Sequence, residues 1–512
     1  MPPTSAPPVP ETDTTHVDVL IVGAGVSGIG AAYHVQDKLP GRSYAILEAR
    51  EDLGGTWDLF RYPGIRSDSD LHTFGFAFRP WTGEKAIADG PSILRYIRDT
   101  AAQYGIDRHI RYGLRVVRAE WSSATALWTV DAVRPATGET VRTTARWLFC
   151  ASGYYRYDQG YTPDIPGLDD FAGPVVHPQL WPEDLDYDGK RVVVIGSGAT
   201  AVTLVPAMTD RAAHVTMLQR SPTYVLPVPE QDAVANRLQR LLGEKRGYAA
   251  ARWKNILKQR GIYAFAQRFP QASRKLIRWV NAKQLEGSGV DVDVHFNPKY
   301  DPWDQRLCAV PNADLFRVLR SGKASVVTDH IDRVTETGVR LRSGKELPAD
   351  VLITATGLDV LTFGGIETVV DSREVHLPDT VAYKGCMLSG VPNFVFAIGY
   401  TNSSWTLKVD LVAEYLCRLM AHTAAQGDDA AVPEVPDEEM ELRPFLDFQA
   451  GYVVRALDRL PKQGTQEPWF LAMDYFKDAR YLRRGPVADA PMRFFAAGAA
   501  AAPASPAAEV RA

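Results

Sequence analysis

The sequence predicts an α/β fold of two Rossmann-like dinucleotide-binding domains, the second inserted into the first and carrying a helical insertion. Three observations predict it. Segments VDVLIVGAGVSGIGAAYHV (17–35) and KRVVVIGSGATAVTLVPAM (190–208) each read as a buried strand of β-branched residues, a glycine turn and a helix. Segments WLFCASGY (147–154) and DVLITATGLD (350–359) are apolar strands ending in small-residue turns, and they bracket the second glycine unit like two crossing points. A chain of 512 residues is also too long for one ordinary core.

The elements follow in chain order. Residues 1–15 read as a disordered, Pro-rich arm with no basic or apolar region of a signal peptide. Residues 16–153 are expected to form the first part of one dinucleotide-binding domain, and 154–355 the other, with a helical insertion at about 230–300. Residues 356–485 should complete the first domain, leaving 486–512 as a flexible Ala/Pro-rich tail. Within the insertion, the stretch from Arg237 to Lys283 holds thirteen Lys/Arg against one acid, Glu244. A solvated face is the plain reading of such a run; a face that touches anionic membrane lipid weakly, or a partner, is the other.

Bulk properties exclude several classes. A net charge of -4 offers no field to attract nucleic acid. Cys150, Cys308, Cys386 and Cys417 are scattered, with no C-x-x-C pair, so neither a disulfide framework nor a dithiol redox centre is expected. No metal-ligand cluster is expected either. A reducing, cytoplasmic location fits, and no apolar run reaches the ~18 residues of a membrane span.

In the first glycine unit, Gly23, Gly25 and Gly28 fit G-x-G-x-x-G. The first allows a tight turn, the second lets a pyrophosphate approach the backbone, and the third lets helix and strand pack closely. The phosphates then meet the helix N-terminus, with Ser27 adding a hydroxyl or amide contact. Glu48 ends the next strand, twenty residues after Gly28. A carboxylate there accepts from ribose hydroxyls and repels a 2′-phosphate, which selects FAD or NAD over NADP.

In the second unit, Gly196, Gly198 and Ala201 fit G-x-G-x-x-A, with Ser197, Ala199, Thr200 and Val202 filling the loop and first helical turn. The following strand, HVTMLQRSP, ends in Arg220 and Ser221 where the first unit has an acid. Arg plus a hydroxyl suits a 2′-phosphate, so NADPH is expected here. An acid-ended and an Arg-ended unit together imply hydride transfer from NADPH to flavin.

Two gapped patterns carry a family resemblance. Phe171, Gly173, His177, Trp181 and Pro182 in FAGPVVHPQLWP fill F-x-G-x-x-x-H-x-x-x-W-P, and Gly55, Trp57, Tyr62, Pro63, Gly64 and Asp68 fill a second signature in GTWDLFRYPGIRSD. In both, the chain resembles the type I Baeyer–Villiger monooxygenases. Stretches such as RYPGIRSDSD, HPQLWPEDLDYD and YTNSSWTLK are similar to a mycobacterial subgroup of that family. The resemblance implies that the chain converts ketones to esters or lactones with O2 through a flavin C4a-peroxide, and oxygenates sulfides and thioamides as well. A flavin-containing S/N-monooxygenase without significant ketone activity is the alternative, and a non-catalytic flavoprotein a more distant one.

The resemblance also implies residue roles. Thr56, Trp57, Asp58 and Leu59 would lie along the flavin, with Arg66, Ser67 and Asp68 between flavin and nicotinamide. Val116 would offer backbone contacts to the adenine of FAD. Arg306 matches the catalytic arginine, which would stabilise negative oxygen, and Asp68 would pair with it. Many relatives carry Lys just before that arginine; here Gln305 leaves more of the 2′-phosphate selectivity to Arg220. His177 is expected in a hinge or linker contact, not as a general base. Trp405 would wall the substrate pocket, and its helix would start with Asn402 or Ser403 as N-cap and aim at the flavin pyrimidine.

Overall fold

Runs such as VDVLIV and RVVVI have no polar break, the composition of a strand covered on both faces. In the computed structural model, which describes residues 15–305, 307–436, 440–446 and 450–499, β1 (Thr15–Val22) lies between two parallel neighbours. These are β2 (Tyr44–Leu47) and β3 (Thr140–Cys150). They form the centre of a nine-stranded sheet whose far side is an antiparallel meander, Arg115–Ser122 and Leu127–Val133 on β3. Strand Phe394–Phe396 returns from the C-terminal half to pair with β3.

The two-residue period of β1 splits the core. Val19 and Ile21 face α1 (Val26–Lys38) and the long C-terminal helix Trp405–Gln426, against Ile29, Val35, Val409 and Leu416. Leu20 and Val22 face the other way, against Trp121, Trp128 and Phe396. The second domain is a five-stranded parallel sheet centred on β4 (Arg191–Ile195). It is flanked by β5 (His214–Gln219) and β6 (Val351–Thr354). Its core includes α2 (Ala199–Met208) and α6 (Asp314–Arg320), with Val202, Leu204, Leu315 and Phe316 fully buried.

The two crossing segments run side by side. Arg156 N–H donates to the Asp359 carbonyl at 2.9 Å, Tyr161 N–H to Gly357 at 3.1 Å and Leu361 N–H to Tyr154 at 3.0 Å. The inserted domain therefore leaves and rejoins the first through one paired stalk.

The insertion is helical, with α3 (Ala233–Leu242), α4 (Glu244–Arg268) and α5 (Pro270–Gln284). One face of α4 is tied to the first domain. The buried Arg252 guanidinium donates to the carbonyls of His72, Thr73 and Gly75 and lies 3.4 Å from the Asp410 carboxylate.

Two expectations are corrected. The segment from 486 is not wholly a tail: Met492–Phe495 pairs antiparallel with Ala430–Pro433, because the run MRFF buries Met492 and Phe495 in the first domain's core. The N-cap position of the helix from Trp405 is Ser404, not Asn402 or Ser403, and no side chain caps it. Asn402 Nδ2 donates to the Met473 carbonyl, Ser403 Oγ to Gln259 Oε1, and Ser404 Oγ is bonded to Thr73 Oγ1 at 2.6 Å, so all three side chains hold distant segments and the helix starts without a capping side chain. The expectations for residues 1–14, Arg306 and 500–512 concern positions outside the described residues.

Candidate functional site

The first glycine loop is shaped by backbone approach. Gly23 sits at φ +101, and a Cβ on Gly28 would stand 1.9 Å from the Gly23 carbonyl oxygen, so strand and helix close to contact. Gly25 begins α1 without any side-chain cap, which leaves the first-turn N–H groups directed at the loop. A Cβ on Gly25 would stand 3.6 Å from the Gly55 Cα. The loop and the start of the second signature thus face each other through two backbones. Glu48 is buried beside them, its Oε2 accepting from Ala24 N–H at 2.7 Å and its Oε1 from Arg50 N–H at 2.9 Å. Burial pushes its carboxyl above the usual range, against the pull of those two bonds.

Around this loop the chain gathers distant residues. Trp405 Nε1–H donates to Ser27 Oγ at 2.8 Å, and its ring stacks on Tyr154 with centroids 5.3 Å apart. Thr56 Oγ1 lies 3.3 Å from the Tyr157 hydroxyl, whose pKa burial raises to about 12, so the phenol stays protonated. Trp57 packs edge-on to Phe74 at 5.7 Å. Asp58 and Leu59 are buried, with Asp58 bonded to Arg50 Nη2 at 2.6 Å. Val116 pairs with Ala132 just before a bulge, and neighbouring Leu114 N–H donates to the Glu48 carbonyl at 2.9 Å, which brings this strand beside the acid.

The second loop repeats the plan with a different end. A Cβ on Gly196 would stand 2.2 Å from the Ala355 carbonyl, whereas one on Gly198 meets nothing within 4 Å. Gly198 starts α2, again with no side-chain cap, and Ala201 is fully buried under it with Val202. Ser197 Oγ–H donates to the Ser221 carbonyl at 3.2 Å, tying the loop to the end of β5. Arg220 and Ser221 are exposed there, and Arg220 makes no ion pair among the described residues.

The segment Gly55–Asp68 is a strap between the loops. Its start touches Gly25, and a Cβ on Gly64 would stand 2.6 Å from Ala207 Cβ and 3.0 Å from the Thr203 carbonyl, both on α2. Tyr62 is buried, its pKa raised by burial to about 12, and lines a small cavity together with Thr200. Arg66 pairs with Asp314 at the start of α6, and Ser67 exchanges backbone and side-chain bonds with Ala88. Asp68 is exposed. Its proposed pairing with Arg306 involves a residue outside the described ones. Beyond the strap, a cleft of about 230 Å³ is lined by Gly64, Arg66, Asp89, Glu230, Asp314 and Arg317.

The other signature packs between the stalk and the second sheet. His177 Nδ1 accepts from Gln179 N–H at 3.2 Å, which leaves Nε2–H to donate to the Gly357 carbonyl at 3.0 Å. Burial lowers its pKa, so it is a neutral ring with both nitrogens engaged. Gly160 approaches so closely that a Cβ there would stand 1.9 Å from the imidazole. Gly173 lies against the Asp350 carbonyl and the Phe171 ring, Phe171 joins the core beside Val193 and Leu352, and Trp181, followed by the half-buried Pro182, meets Tyr187 edge-on.

Sequence reasoning missed Tyr154, Tyr157 and Asp314. The aromatic run YYRY directly after the first crossing was a signal for the tyrosines. An acid opening a short helix gave none for Asp314.

Residues 88–385 match the model of the flavin-binding monooxygenase-like family, and residues 21–83 match that of an NAD(P)-binding Rossmann-like domain. The chain is 56% identical over 482 residues to the FAD-containing monooxygenase EthA of Mycobacterium tuberculosis, covering 94% of this chain and 98% of that one. It is 52% identical over 487 residues to the putative FAD-containing monooxygenase MymA of the same organism, at 94% and 98% coverage. Among solved structures, oxidized steroid monooxygenase bound to NADP shares the fold with a TM-score of 0.72 at 22% identity, covering 94% of this chain and 100% of that one.

Proposed function

The chain belongs to the flavin-binding monooxygenase family, and from that premise we propose that it is an FAD- and NADPH-dependent Baeyer–Villiger monooxygenase, located in the cytoplasm, that turns ketones into esters or lactones with O2 and also oxygenates sulfur. The observation that carries this reading is the strap. One continuous segment touches the acid-ended cradle at Gly25 and the Arg-ended cradle at Thr203 and Ala207, which is what a chain needs if two nucleotides must meet ring to ring.

The residues fit both groups. Gly25, the uncapped start of α1 and Glu48 would hold the FAD pyrophosphate and ribose. Gly198, the open start of α2, Arg220 and Ser221 would hold NADPH and its 2′-phosphate. When bound, NADPH supplies hydride and FAD supplies the ring that activates oxygen.

The chain's own residues do the rest. Tyr62 and Tyr157 remain neutral hydroxyls, and Arg66, anchored by Asp314, fixes the strap against the second domain. Arg306 is proposed to hold the negative charge that gathers on the carbonyl oxygen as the ketone is attacked, a role suited to a cation that never loses its proton. Asp68 would orient it, and Trp405 would wall the substrate pocket. His177 holds the stalk at Gly357 through its Nε2–H and is assigned no proton transfer.

A panel of ketones and sulfides with purified protein, NADPH and O2 tests the reading, with products identified by mass spectrometry. Esters or lactones are expected. Sulfoxides alone would replace the ketone assignment by S-oxygenation.

A further inference from the structure

Ten of the sixteen large apolar side chains exposed among the described residues fall between positions 234 and 279. A soluble surface scatters such residues singly; here they are gathered on one helical unit. Leu257 is 56% exposed, Phe265 48% and Leu276 55%. Trp253 and Trp279 are the only exposed tryptophans among the described residues.

The basic residues share this face. At 3.6 residues per turn, Arg246, Trp253, Leu257, Lys258, Phe265 and Arg268 fall within a sector of about 140° on α4. The buried Tyr248, Arg252, Asn255, Ile256 and Ala266 lie on the other side. Arg252, Lys254, Arg260 and Arg278 spend their charge on acids of the fold. Arg246, Lys258, Arg268, Lys275 and Lys283 form no ion pair among the described residues. Lys283 instead lies 4.5 Å over the Trp279 ring, and Arg268 lies 5.4 Å from that of Phe269.

We propose that the exposed face of α4 and α5 docks on an anionic lipid bilayer, lying in its interface without crossing it. Trp, Phe and Leu side chains would enter the acyl boundary while long basic side chains reach the headgroups. Charge decides between this occupant and a second copy of the chain. Two copies joined through this face about a twofold axis would set the same unpaired cations against each other, whereas an anionic surface complements them. The whole chain carries -4, so the strongly basic segment also orients the molecule toward such a surface.

Docking would be rigidly linked to the flavin side. The opposite face of α4 is fastened by Arg252 to Asp410, and Asn255 Nδ2 and Gln259 Nε2 donate to Asp70 at 2.9 Å and 2.7 Å.

The test is co-sedimentation of the full-length FAD-bound enzyme with phosphatidylcholine vesicles, with and without phosphatidylglycerol. Binding is expected with phosphatidylglycerol at low salt, at least about tenfold weaker without it, and lost at high salt. Lys258→Glu/Arg268→Glu and Leu257→Ser/Phe265→Ser change only exposed positions. Each should lower vesicle binding at least about tenfold and leave turnover of a soluble ketone unchanged. No binding at low salt, equal binding to neutral vesicles, or variants that bind as the parent does would overturn the proposal. So would a lipid-free dimer in sedimentation velocity that Leu257→Ser/Phe265→Ser abolishes, since the face would then join two copies.

Discussion

The guanidinium of Arg66 pairs with the carboxylate of Asp314, joining the strap of the first domain to a helix of the second. Their side chains are only 14% and 17% exposed, so neither is well solvated without the other. Asp314→Ala should therefore lower stability by about 1–3 kcal/mol, below the cost of a fully buried pair because some water reaches both groups. It should also slow flavin reduction by NADPH, since the strap loses its anchor on the second domain. Thermal unfolding and stopped-flow reduction check this. The exposed pair Arg191–Asp350 is the control, and Asp350→Ala should disturb both readouts less.

Gly25 and Gly28 should separate binding from folding. A methyl on Gly25 makes only ordinary contact with Gly55 in the protein itself but fills the gap a pyrophosphate needs. Gly25→Ala should fold normally and purify with much less flavin. Gly28→Ala drives a methyl into the Gly23 carbonyl and should cost at least about 1–3 kcal/mol of stability. Flavin absorbance per protein and a thermal melt on each variant distinguish the two effects.

Arg220 should set the choice of nicotinamide. Its exposed guanidinium forms no ion pair within the described residues and is available for a 2′-phosphate. Arg220→Ala should weaken NADPH by about 1–3 kcal/mol and NADH hardly at all. Equal losses for both would show that the residue does not read the phosphate.

Acid should destabilise the fold through the buried His72 and the half-buried His177 and His295. Burial is the largest cause that lowers the pKa values of His72, His177 and His295 below 6.5. Unfolded, each takes up a proton near 6.5; folded, only at lower pH. Below about pH 6.5 the unfolded chain therefore binds more protons, and stability falls as pH falls toward the folded values, with no such effect above that window. His177→Gln removes one of these groups and should make denaturant midpoints depend less steeply on pH between about 6.5 and 5. An unchanged slope would mean that His177 titrates alike in both states.

The two glycine units and the two crossings were legible because unbroken β-branched strands and fixed glycine spacings are local patterns. Contacts such as Trp405 to Ser27 or Arg66 to Asp314 join positions hundreds of residues apart and leave no local trace. The helix start differs for the same reason, since Asn402, Ser403 and Ser404 all look like caps in sequence while Met473, Gln259 and Thr73 claim their side chains. The C-terminal strand was hidden by its Ala/Pro surroundings. The ion pair between Arg50 and Asp58 likewise leaves no pattern in the sequence.

Oxygen insertion is the central claim, and one measurement reaches it directly: the mass of the product formed from a ketone, NADPH and isotopically labelled O2, with the parent protein and Arg306→Ala compared. The parent should yield an ester or lactone carrying one labelled oxygen for each NADPH consumed. Arg306→Ala should still reduce its flavin but make almost no ester, because losing one preorganised charge donor costs about 2.7–4 kcal/mol in the transition state, with the oxygen leaving as hydrogen peroxide. An unlabelled product, or NADPH consumed by the parent only to peroxide, would contradict the account, and near-normal ester from Arg306→Ala would remove its central charge.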